Sequence, residues 1–248
     1  MNMLLDNLLP PFVGLFAAPS SFIQRLKYPN LVSFGLLASL KKMRSKKIIV
    51  GIDSIWDIGA NQGQFAYMAN ATWPGIPIYS FEPDPDTYKN LNLNFKLFNI
   101  PGETFCCALS DRVETKDLLR YKNGVNNSLL QRESDVETFL EHVIVECKTL
   151  DNISRSYLVK SAFLKLDVQG FELVVLSGAV EFLNKCRYVQ IEVSFSPTYT
   201  GAAHAGEIIL AMRDYGFECI EILDLLRQKS GHHKIIEADL LFQRLDTE

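Results

Sequence analysis

The residues best placed for chemistry form a short turn and an acidic site after it. Residues 57–63 read Asp-Ile-Gly-Ala-Asn-Gln-Gly and follow one apolar run, while Phe81-Glu82-Pro83 closes a second. A glycine turn between a strand and a helix lets a ligand approach bare backbone, and a carboxylate at the next strand tip accepts hydrogen bonds from ribose hydroxyls. The predicted adenosine-binding residues are Asp57, Gly59, Ala60, Asn61, Gly63, Glu82 and Pro83.

The glycine spacing narrows the choice of ligand. Dinucleotide sites use G-x-G-x-x-G, whose middle glycine lets backbone approach the pyrophosphate, but this turn reads G-x-N-x-G with Asn61 at that place. The sequence also lacks the G-x-x-x-x-G-K-[ST] loop of nucleotide sites. An adenosine compound without phosphate remains, and S-adenosylmethionine is the commonest. Asp57 would either bind the ammonium group of S-adenosylmethionine or order the turn. The alternative to a ligand site is that residues 57–63 form a strand–turn–helix corner with a purely structural role.

Further carboxylates follow the later apolar runs. Asp167 closes the fourth long run, Glu172 lies near the start of the next helix, and Glu192 belongs to the following strand. Ligands of open α/β sheets bind outside the carboxyl ends of the strands, so Asp167 is expected to face the same crevice as Gly59 and Glu82. The alternatives to a functional role are that Glu172 caps a helix and that Glu192 forms a structural ion pair.

An alternation of apolar and amphipathic segments, typical of repeated βα units, positions these residues from Ile48 onward. Long strands are predicted at 52–58, 76–82, 103–109, 162–168 and 188–195, and shorter antiparallel strands at 117–121 and 143–150. Helices are predicted at 62–70, 85–97, 172–183 and 204–215, followed by strands at 218–224 and 237–244. Residues 122–133 are polar and contain glycine, which predicts a loop.

Length and composition suit one soluble α/β domain with an N-terminal extension. Of 248 residues, 48% are hydrophobic and 22% are charged, which is enough apolar material for a core. The formal charge of −4 argues against nonspecific nucleic-acid binding. The basic segment 41–47 is interpreted as a solvated helix end, with peripheral membrane contact as the alternative. Five cysteines without zinc-ligand spacing indicate a reduced, cytoplasmic protein.

Residues 1–47 are predicted to be helices that pack onto a domain formed by residues 48–248. Residues 4–18 are apolar, but the first six residues of the chain contain Asp6 and no Lys or Arg, unlike the start of a secretory signal. Prolines interrupt this region well below the ~20 residues that span a bilayer, so no membrane span is expected. Asn30 would cap a helix with one apolar stripe.

With these segments in view, the chain resembles the FkbM-type S-adenosylmethionine-dependent methyltransferases from about residue 55 to residue 244. The resemblance rests on the turn 57–63, on Phe81-Glu82-Pro83 and on four further strings, which are Ala108-Leu109-Ser110-Asp111, Asn127-Ser128-Leu129, Thr149-Leu150-Asp151 and Leu166-Asp167-Val168-Gln169-Gly170-Phe171-Glu172. The last string is the most specific. Gln169 stands where the family usually has Glu, which removes a charge from that position.

The resemblance implies a class I methyltransferase fold, a Rossmann-like α/β architecture. Its seven-stranded, mostly parallel sheet lies between helices, with one antiparallel strand in a final hairpin-like pair. It implies that the turn and Glu82 hold the cofactor, with Ser110 and Asp111 near the adenine and Asp167 at the same site. Family members typically methylate hydroxyl groups on sugars, glycolipids or polyketides, so a small-molecule or glycan acceptor is expected.

Methyl transfer to a hydroxyl requires alignment of the reactants and removal of a proton, for which a base contributes about 10²–10⁴-fold. The candidate catalytic residues are Asp167, Glu172, Glu192 and His204. Glu172 or Asp167 is favoured, and an exposed helix start is the alternative for His204. No metal is expected, although the three carboxylates offer the oxygen ligands that magnesium uses. The alternative functions are N-methylation, NAD-dependent dehydrogenation and noncatalytic adenosine binding.

Overall fold

The computed structural model describes residues 31, 34–122, 124, 126–132, 139–228 and 233–245. The helices within these ranges are α1 Phe34–Ser45, α2 Gln64–Thr72, α3 Pro85–Leu97, α4 Leu150–Ser154, α5 Glu172–Ser177, α6 Val180–Leu183 and α7 Ala205–Asp214. The strands are β1 Ser54–Ile58, β2 Ile78–Phe81, β3 Gly102–Phe105, β4 Ala108–Leu109, β5 Glu114–Tyr121, β6 Phe139–Lys148, β7 Ala162–Leu166, β8 Cys186–Ser194, β9 Phe217–Arg227 and β10 Ile235–Arg244.

Seven strands form one sheet in the order β3-β2-β1-β7-β8-β10-β9. Neighbouring strands from β3 to β8 are parallel, whereas β10 runs antiparallel to both β8 and β9. This arrangement confirms the predicted class I methyltransferase fold, including its final strand pair. Strands β4, β6 and β5 form a separate three-stranded sheet.

Helices cover both faces of the large sheet. On one face, Ile55 and Phe163 of the sheet pack with Leu40 of α1 and Phe65 of α2. On the other face, alternate residues of the same strands pack with α4 to α7. Strands that are buried on both faces are mostly apolar, and this pattern predicts them from the sequence.

The face beneath α1 and α2 becomes polar toward the carboxyl ends of the central strands. Because strand side chains alternate between faces, Lys165 shares a face with the apolar Phe163. Likewise, Gln190 and Glu192 share that face with the buried Tyr188. The parallel register places Lys165 of β7 beside Gln190 of β8. The sheet therefore ends in a polar edge above an apolar base.

Three predicted elements differ from those in the structure. The single strand predicted at 103–109 is wrong, because β3 and β4 belong to different sheets. The single helix predicted at 172–183 is wrong because it breaks at Gly178, where a side-chain Cβ would overlap the carbonyl oxygen of Ser110. The strand predicted at 143–150 ends earlier, since Thr149 caps α4 by accepting from the Asn152 amide.

Helix α1 is the part of the predicted N-terminal extension that the structure describes in most detail. Its buried residues Leu37, Leu40 and Met43 face the apolar base of the sheet, and Arg44 donates to the carbonyl of Thr72 in α2. Residues 1–30, including the predicted cap Asn30, lie outside the described residues, so the boundary at residue 47 stays a prediction. No helix among the described residues is long and apolar enough to cross a membrane.

Candidate active site

A cavity of about 660 Å³ opens at the carboxyl edge of the central strands. This volume lies within the range of roughly 300–1,000 Å³ that is usual for small-molecule sites. The cavity has two parts with different linings. The nucleoside part is lined by Gly59, Asn61, Glu82, Cys107, Leu109 and Phe171. The acidic part is lined by Lys165, Asp167, Gln190, Glu192, Glu237 and Asp239.

The turn after β1 supplies bare backbone to the nucleoside part. Gly59, Asn61 and Gly63 have φ values of 77°, 50° and 91°, in the left-handed region. At Gly59 a Cβ would overlap the carbonyl oxygen of Asp167, so only glycine lets the turn lie against the end of β7. The Asn61 side-chain oxygen accepts from the Gln62 amide at 2.8 Å, a local bond by which asparagine tolerates this conformation. Ala60 also lines the cavity, whereas Gly63 caps α2 outside it.

Glu82 closes the nucleoside part from the tip of β2, beside Pro83. Its Oε2 accepts from the Asn61 amide and its Oε1 from the Asp84 amide, both at 2.9 Å. Burial raises the pKa of Glu82 to about 7, although these two hydrogen bonds oppose the rise. Each carboxylate oxygen has a second acceptor position. Glu82 is therefore fixed by backbone and keeps the capacity to accept from two vicinal hydroxyls.

Apolar residues form another wall of the nucleoside part. It includes Cys107, Ala108 and Leu109 together with Phe171. Ser110 is fully buried behind this wall, where its hydroxyl donates to Asp111 and Glu114. Asp111 is exposed beside Arg112. The structure thus places the residues just before Ser110 and Asp111, and not these two, on the cavity wall.

Asp57 lies beneath the cavity and does not line it. It is fully buried, with Oδ1 3.6 Å from the Lys165 ammonium and Oδ2 3.4 Å from the Ser80 hydroxyl, which donates to it. Burial raises the pKa of Asp57, and the Lys165 charge opposes this rise. Of the two roles predicted for Asp57, this position favours the ordering of the turn, because Lys165 lies between it and the cavity.

Asp167 and Glu192 meet in the acidic part through Gln169. The Gln169 amide nitrogen donates to Asp167 Oδ1 at 3.0 Å and to Glu192 Oε2 at 2.9 Å. The Gln169 amide oxygen accepts from the Tyr199 hydroxyl at 3.0 Å, which fixes the orientation of the amide. Lys165 donates to Asp167 Oδ2 at 3.1 Å. The uncharged Gln169 therefore aligns two carboxyl groups by donating to both of them. A glutamate carboxylate at position 169 could not donate these bonds and would repel the carboxylate of Asp167.

The two carboxyl groups differ in protonation. Burial opposes the ionisation of Asp167, but the Lys165 charge and the hydrogen bonds from Gln169 and Lys165 hold the pKa of Asp167 below its usual range. The negative charge of Asp167, followed by burial, raises the pKa of Glu192 to about 10. At neutral pH the pair therefore consists of a carboxylate at Asp167 and a carboxylic acid at Glu192.

Glu172 and His204 lie outside the main cavity. Glu172 Oε1 accepts from the amides of Val168 and Gly170 at 3.2 and 3.1 Å, and burial raises the pKa of Glu172 to about 7. His204 is exposed, and its amide donates to Glu207 Oε2 at 2.8 Å at the start of α7. The structure thus brings Asp167 and Glu192 together and gives Glu172 and His204 positions in local turns. In the described part of the chain, no group of three or more His, Cys, Asp or Glu side chains is arranged to hold a metal ion.

The loop after β5 closes the cavity with the two polar residues of the Asn127-Ser128 string. Asn127 donates to Asp84 Oδ2 at 3.2 Å and accepts from the Tyr121 amide at 2.9 Å. Ser128 donates to the carbonyl oxygen of Gln169 at 2.8 Å. These bonds tie the loop to both parts of the cavity.

Sequence reasoning missed four residues of the acidic part, which are Lys165, Gln190, Glu237 and Asp239. A signal was present, because each strand carries polar residues two positions apart within an apolar run, at 165 and 167, at 190 and 192, and at 237 and 239. That period places both residues of each pair on one face of the sheet.

Comparison with known proteins decides the family. The profile of the Methyltransferase FkbM domain matches residues 57–219, more than half of the chain. The chain belongs to the FkbM methyltransferase family. The 31-O-demethyl-FK506 methyltransferase FkbM of Streptomyces tacrolimicus is 25% identical over 210 residues, covering 74% of this chain and 79% of that protein. The predicted resemblance is therefore confirmed.

A second relative and one solved structure extend the comparison. The hexuronic acid methyltransferase AglP of Haloferax volcanii is 28% identical over 146 residues, covering 57% of this chain and only 56% of that protein. The crystal structure of TehB from Haemophilus influenzae has a TM-score of 0.50 at 12% identity, covering 89% of this chain and 65% of that one. The likeness to TehB concerns the fold alone.

Proposed function

We propose that this protein is an S-adenosylmethionine-dependent O-methyltransferase that acts on a hydroxyl group of a sugar or another hydroxylated small molecule. The observation that carries the proposal is one cavity that joins the Gly59 turn and Glu82 to the Asp167–Glu192 pair. Family membership supports methyl transfer. The names of two relatives, one for 31-O-demethyl-FK506 and one for hexuronic acid, support a hydroxylated acceptor.

The residues of the nucleoside part fit the adenosine of this cofactor. The backbone of the Gly59 turn would lie against it, Glu82 would accept from both ribose hydroxyls, and the wall from Cys107 to Leu109 would contact the adenine. The Asn61 side chain occupies the place where a dinucleotide needs a second glycine, which disfavours NAD. When bound, S-adenosylmethionine supplies a methyl group already activated on a sulfonium.

Asp167 is the residue suited to accept the proton of the acceptor hydroxyl. It lines the cavity as a carboxylate, and Lys165 and Gln169 hold its two oxygens in fixed directions. Glu192, protonated at neutral pH, stabilises the Asp167 charge by sharing its proton. A base with a low pKa is a weak one, so its contribution depends on alignment more than on proton affinity.

Two further inferences concern the whole chain. All five cysteines are free thiols, which supports our proposal of a reducing, cytoplasmic environment. We also infer that residues 1–47 act as an extension to a catalytic domain of residues 48–248, since α1 packs against α2 beside the turn. Both inferences concern the setting of the site, and its chemistry does not depend on them.

The test is a methyl-transfer assay that compares the wild-type protein with a variant in which Asp167 can no longer act as a base. Purified protein is incubated with S-adenosylmethionine and hydroxylated acceptors, and products are screened by mass spectrometry for the gain of one methylene. Asp167→Asn should lower kcat by about 10²–10⁴-fold, the usual contribution of a positioned base, while S-adenosylhomocysteine still binds. Asp117→Asn, which removes an exposed carboxylate of β5 outside the cavity lining, is the matched control and should turn over normally. Wild-type turnover by Asp167→Asn would exclude Asp167 as the base.

A further inference from the structure

The acidic part of the cavity lies over the opposite half of the sheet from the nucleoside part. Glu82 follows β2, whereas Gln190 and Glu192 belong to β8, and Glu237 and Asp239 to β10. In the sheet order, β10 is three strands from β1. At roughly 4.8 Å per strand this separation is about 14 Å.

The cofactor is too short to occupy both parts. Five single bonds, each about 1.5 Å, join the ribose ring to the α-carbon of the methionine moiety, so this chain spans at most about 7.5 Å. With the ribose at Glu82, the amino-acid end reaches β7 and stops short of β10. The residues of β8 and β10 in the acidic part are therefore left to the second ligand, the methyl acceptor.

Gln190 shows which kind of group the acidic part binds. Its side chain is only 2% exposed, and its amide hydrogen-bonds Asp239, so its nitrogen is the donor to that carboxylate. Its Oε1 is buried and has no hydrogen-bond partner among the described residues, and Gln190 is one of the residues that line the cavity. Because the nitrogen is committed to Asp239, the oxygen is the atom that remains for a ligand, and an amide oxygen only accepts. The ligand must therefore supply a donor.

The charges around Gln190 favour the same kind of ligand. Glu192 and Asp239 are direct cross-strand partners between β8 and β10, so their carboxyl groups lie side by side at the cavity. Burial and the Asp167 charge raise the pKa of Asp239 to about 6, so it is mostly ionised at neutral pH. The nearby cations are already engaged. Lys165 lies between Asp57 and Asp167, and Arg132 lies 5.8 Å from the Tyr199 ring, with its charge acting on Glu237.

We infer that Gln190, Asp239 and Glu237 form an acceptor subsite for a ring or chain that presents hydroxyl or ammonium hydrogens and carries no negative charge. This inference rests on the proposed function and names its substrate class. A neutral polyol donates hydroxyl hydrogens to Gln190 and Asp239, and an amino group beside the methylated hydroxyl would serve equally. A carboxylate in the same place would face Asp239 and Glu237.

The experiment identifies the charge class of the acceptor from mixtures of natural compounds. Polar metabolites and glycans from the source organism are separated at pH 7 on an anion exchanger into an unretained pool and a retained, anionic pool. The unretained pool is then divided on a cation exchanger into neutral and cationic fractions. Each fraction is incubated with the full chain and tritiated S-adenosylmethionine, and the transferred label is counted. Titration calorimetry with S-adenosylhomocysteine runs in parallel.

The label is expected in the unretained pool, and the cation exchanger then tells a neutral polyol from an amino compound. Label mainly in the retained pool, with normal S-adenosylhomocysteine binding, would overturn this inference and leave the transferase function standing. Absence of label from every fraction would remove the proposed function and this inference with it.

Variants then test the named residues. Asp239→Asn and Gln190→Leu should raise the concentration of the active fraction needed for half-maximal rate by about tenfold, and should leave the Kd of S-adenosylhomocysteine within about twofold. Asp117→Asn, which removes an exposed carboxylate of β5 outside the cavity lining, is the matched control and should change neither value. Equal losses of acceptor and cofactor affinity in Asp239→Asn would overturn the assignment, as would unchanged acceptor dependence in both variants.

Discussion

The two parts of the cavity are built in different ways. The nucleoside part uses backbone and one carboxylate, and its turn and Glu82 lie close together in the sequence. The acidic part uses side chains from β7, β8 and β10, which the sheet order brings together from distant segments. Backbone contacts suit a ligand that is the same throughout a family, whereas side chains can be exchanged to suit different acceptors. This difference supports our proposal that one part binds the cofactor and the other selects the acceptor.

The largest effect that would sharpen this comparison is expected at Glu82. Glu82→Ala removes an acceptor for two ribose hydroxyls, and hydrogen bonds to charged groups contribute roughly 1.5–3 kcal/mol each. The Kd of S-adenosylhomocysteine, measured by titration calorimetry, should rise by about 100-fold or more. Thermal melts show whether the variant is folded. If Asp239→Asn weakened the same ligand equally, the division between the two parts would be lost.

The pH dependence of cofactor binding offers a second, smaller effect at the same residue. Because burial raises the pKa of Glu82 to about 7, the carboxylate that accepts from hydroxyls is lost as the pH falls below 7. The affinity for S-adenosylhomocysteine should therefore be about tenfold weaker at pH 6 than on the plateau above pH 8. Glu82→Gln, which has no proton to gain, should show a flat profile. An equally steep profile in Glu82→Gln would move the titration to another group.

Glu172 tests whether a carboxylate next to the acidic part is structural. Glu172→Ala leaves the amides of Val168 and Gly170 without their acceptor, which should lower the free energy of unfolding by about 1–3 kcal/mol in denaturant titrations. Glu172→Gln keeps an acceptor oxygen and should lose less. Should Glu172→Ala unfold like the wild type yet lose all turnover, Glu172 would regain the catalytic role that the sequence suggested.

The smallest effect is expected at His204. Its side chain is exposed and lines neither part of the cavity. His204→Ala should therefore change turnover by no more than about twofold and the free energy of unfolding by about 0.5 kcal/mol or less. A strong loss of turnover with the acceptor at saturation would place His204 at the reacting groups.

Sequence and structure agree most closely where neighbours in the chain remain neighbours in space. The Gly59 turn, Glu82 and the boundaries of α3 follow from local rules on glycine turns, strand ends and capping residues. The positions of Asp167 and Glu192 in the cavity also follow, because both lie toward the carboxyl ends of parallel strands. The sequence pattern was therefore sufficient for the α/β class and for the placement of the Gly59 turn and Glu82 at the cavity, but it did not predict the wall of Cys107, Ala108 and Leu109.

The remainder depended on packing between distant segments. The ion pair of Asp57 with Lys165 forms because β1 and β7 are neighbours in the sheet. No local sequence pattern predicts that these two strands pair. The bridging role of Gln169 requires Glu192 on the next strand. The role of Gln190 depends on its hydrogen bond to Asp239 from the neighbouring strand, which leaves its oxygen without a partner among the described residues.

The central claim is that the nucleoside part selects a phosphate-free adenosine compound. Titration calorimetry of the wild-type protein with S-adenosylhomocysteine, followed by NADH under the same conditions, tests this claim directly. We expect one-to-one binding of S-adenosylhomocysteine and no heat of binding for NADH. Binding of NADH with comparable affinity, or no binding of S-adenosylhomocysteine, would contradict it.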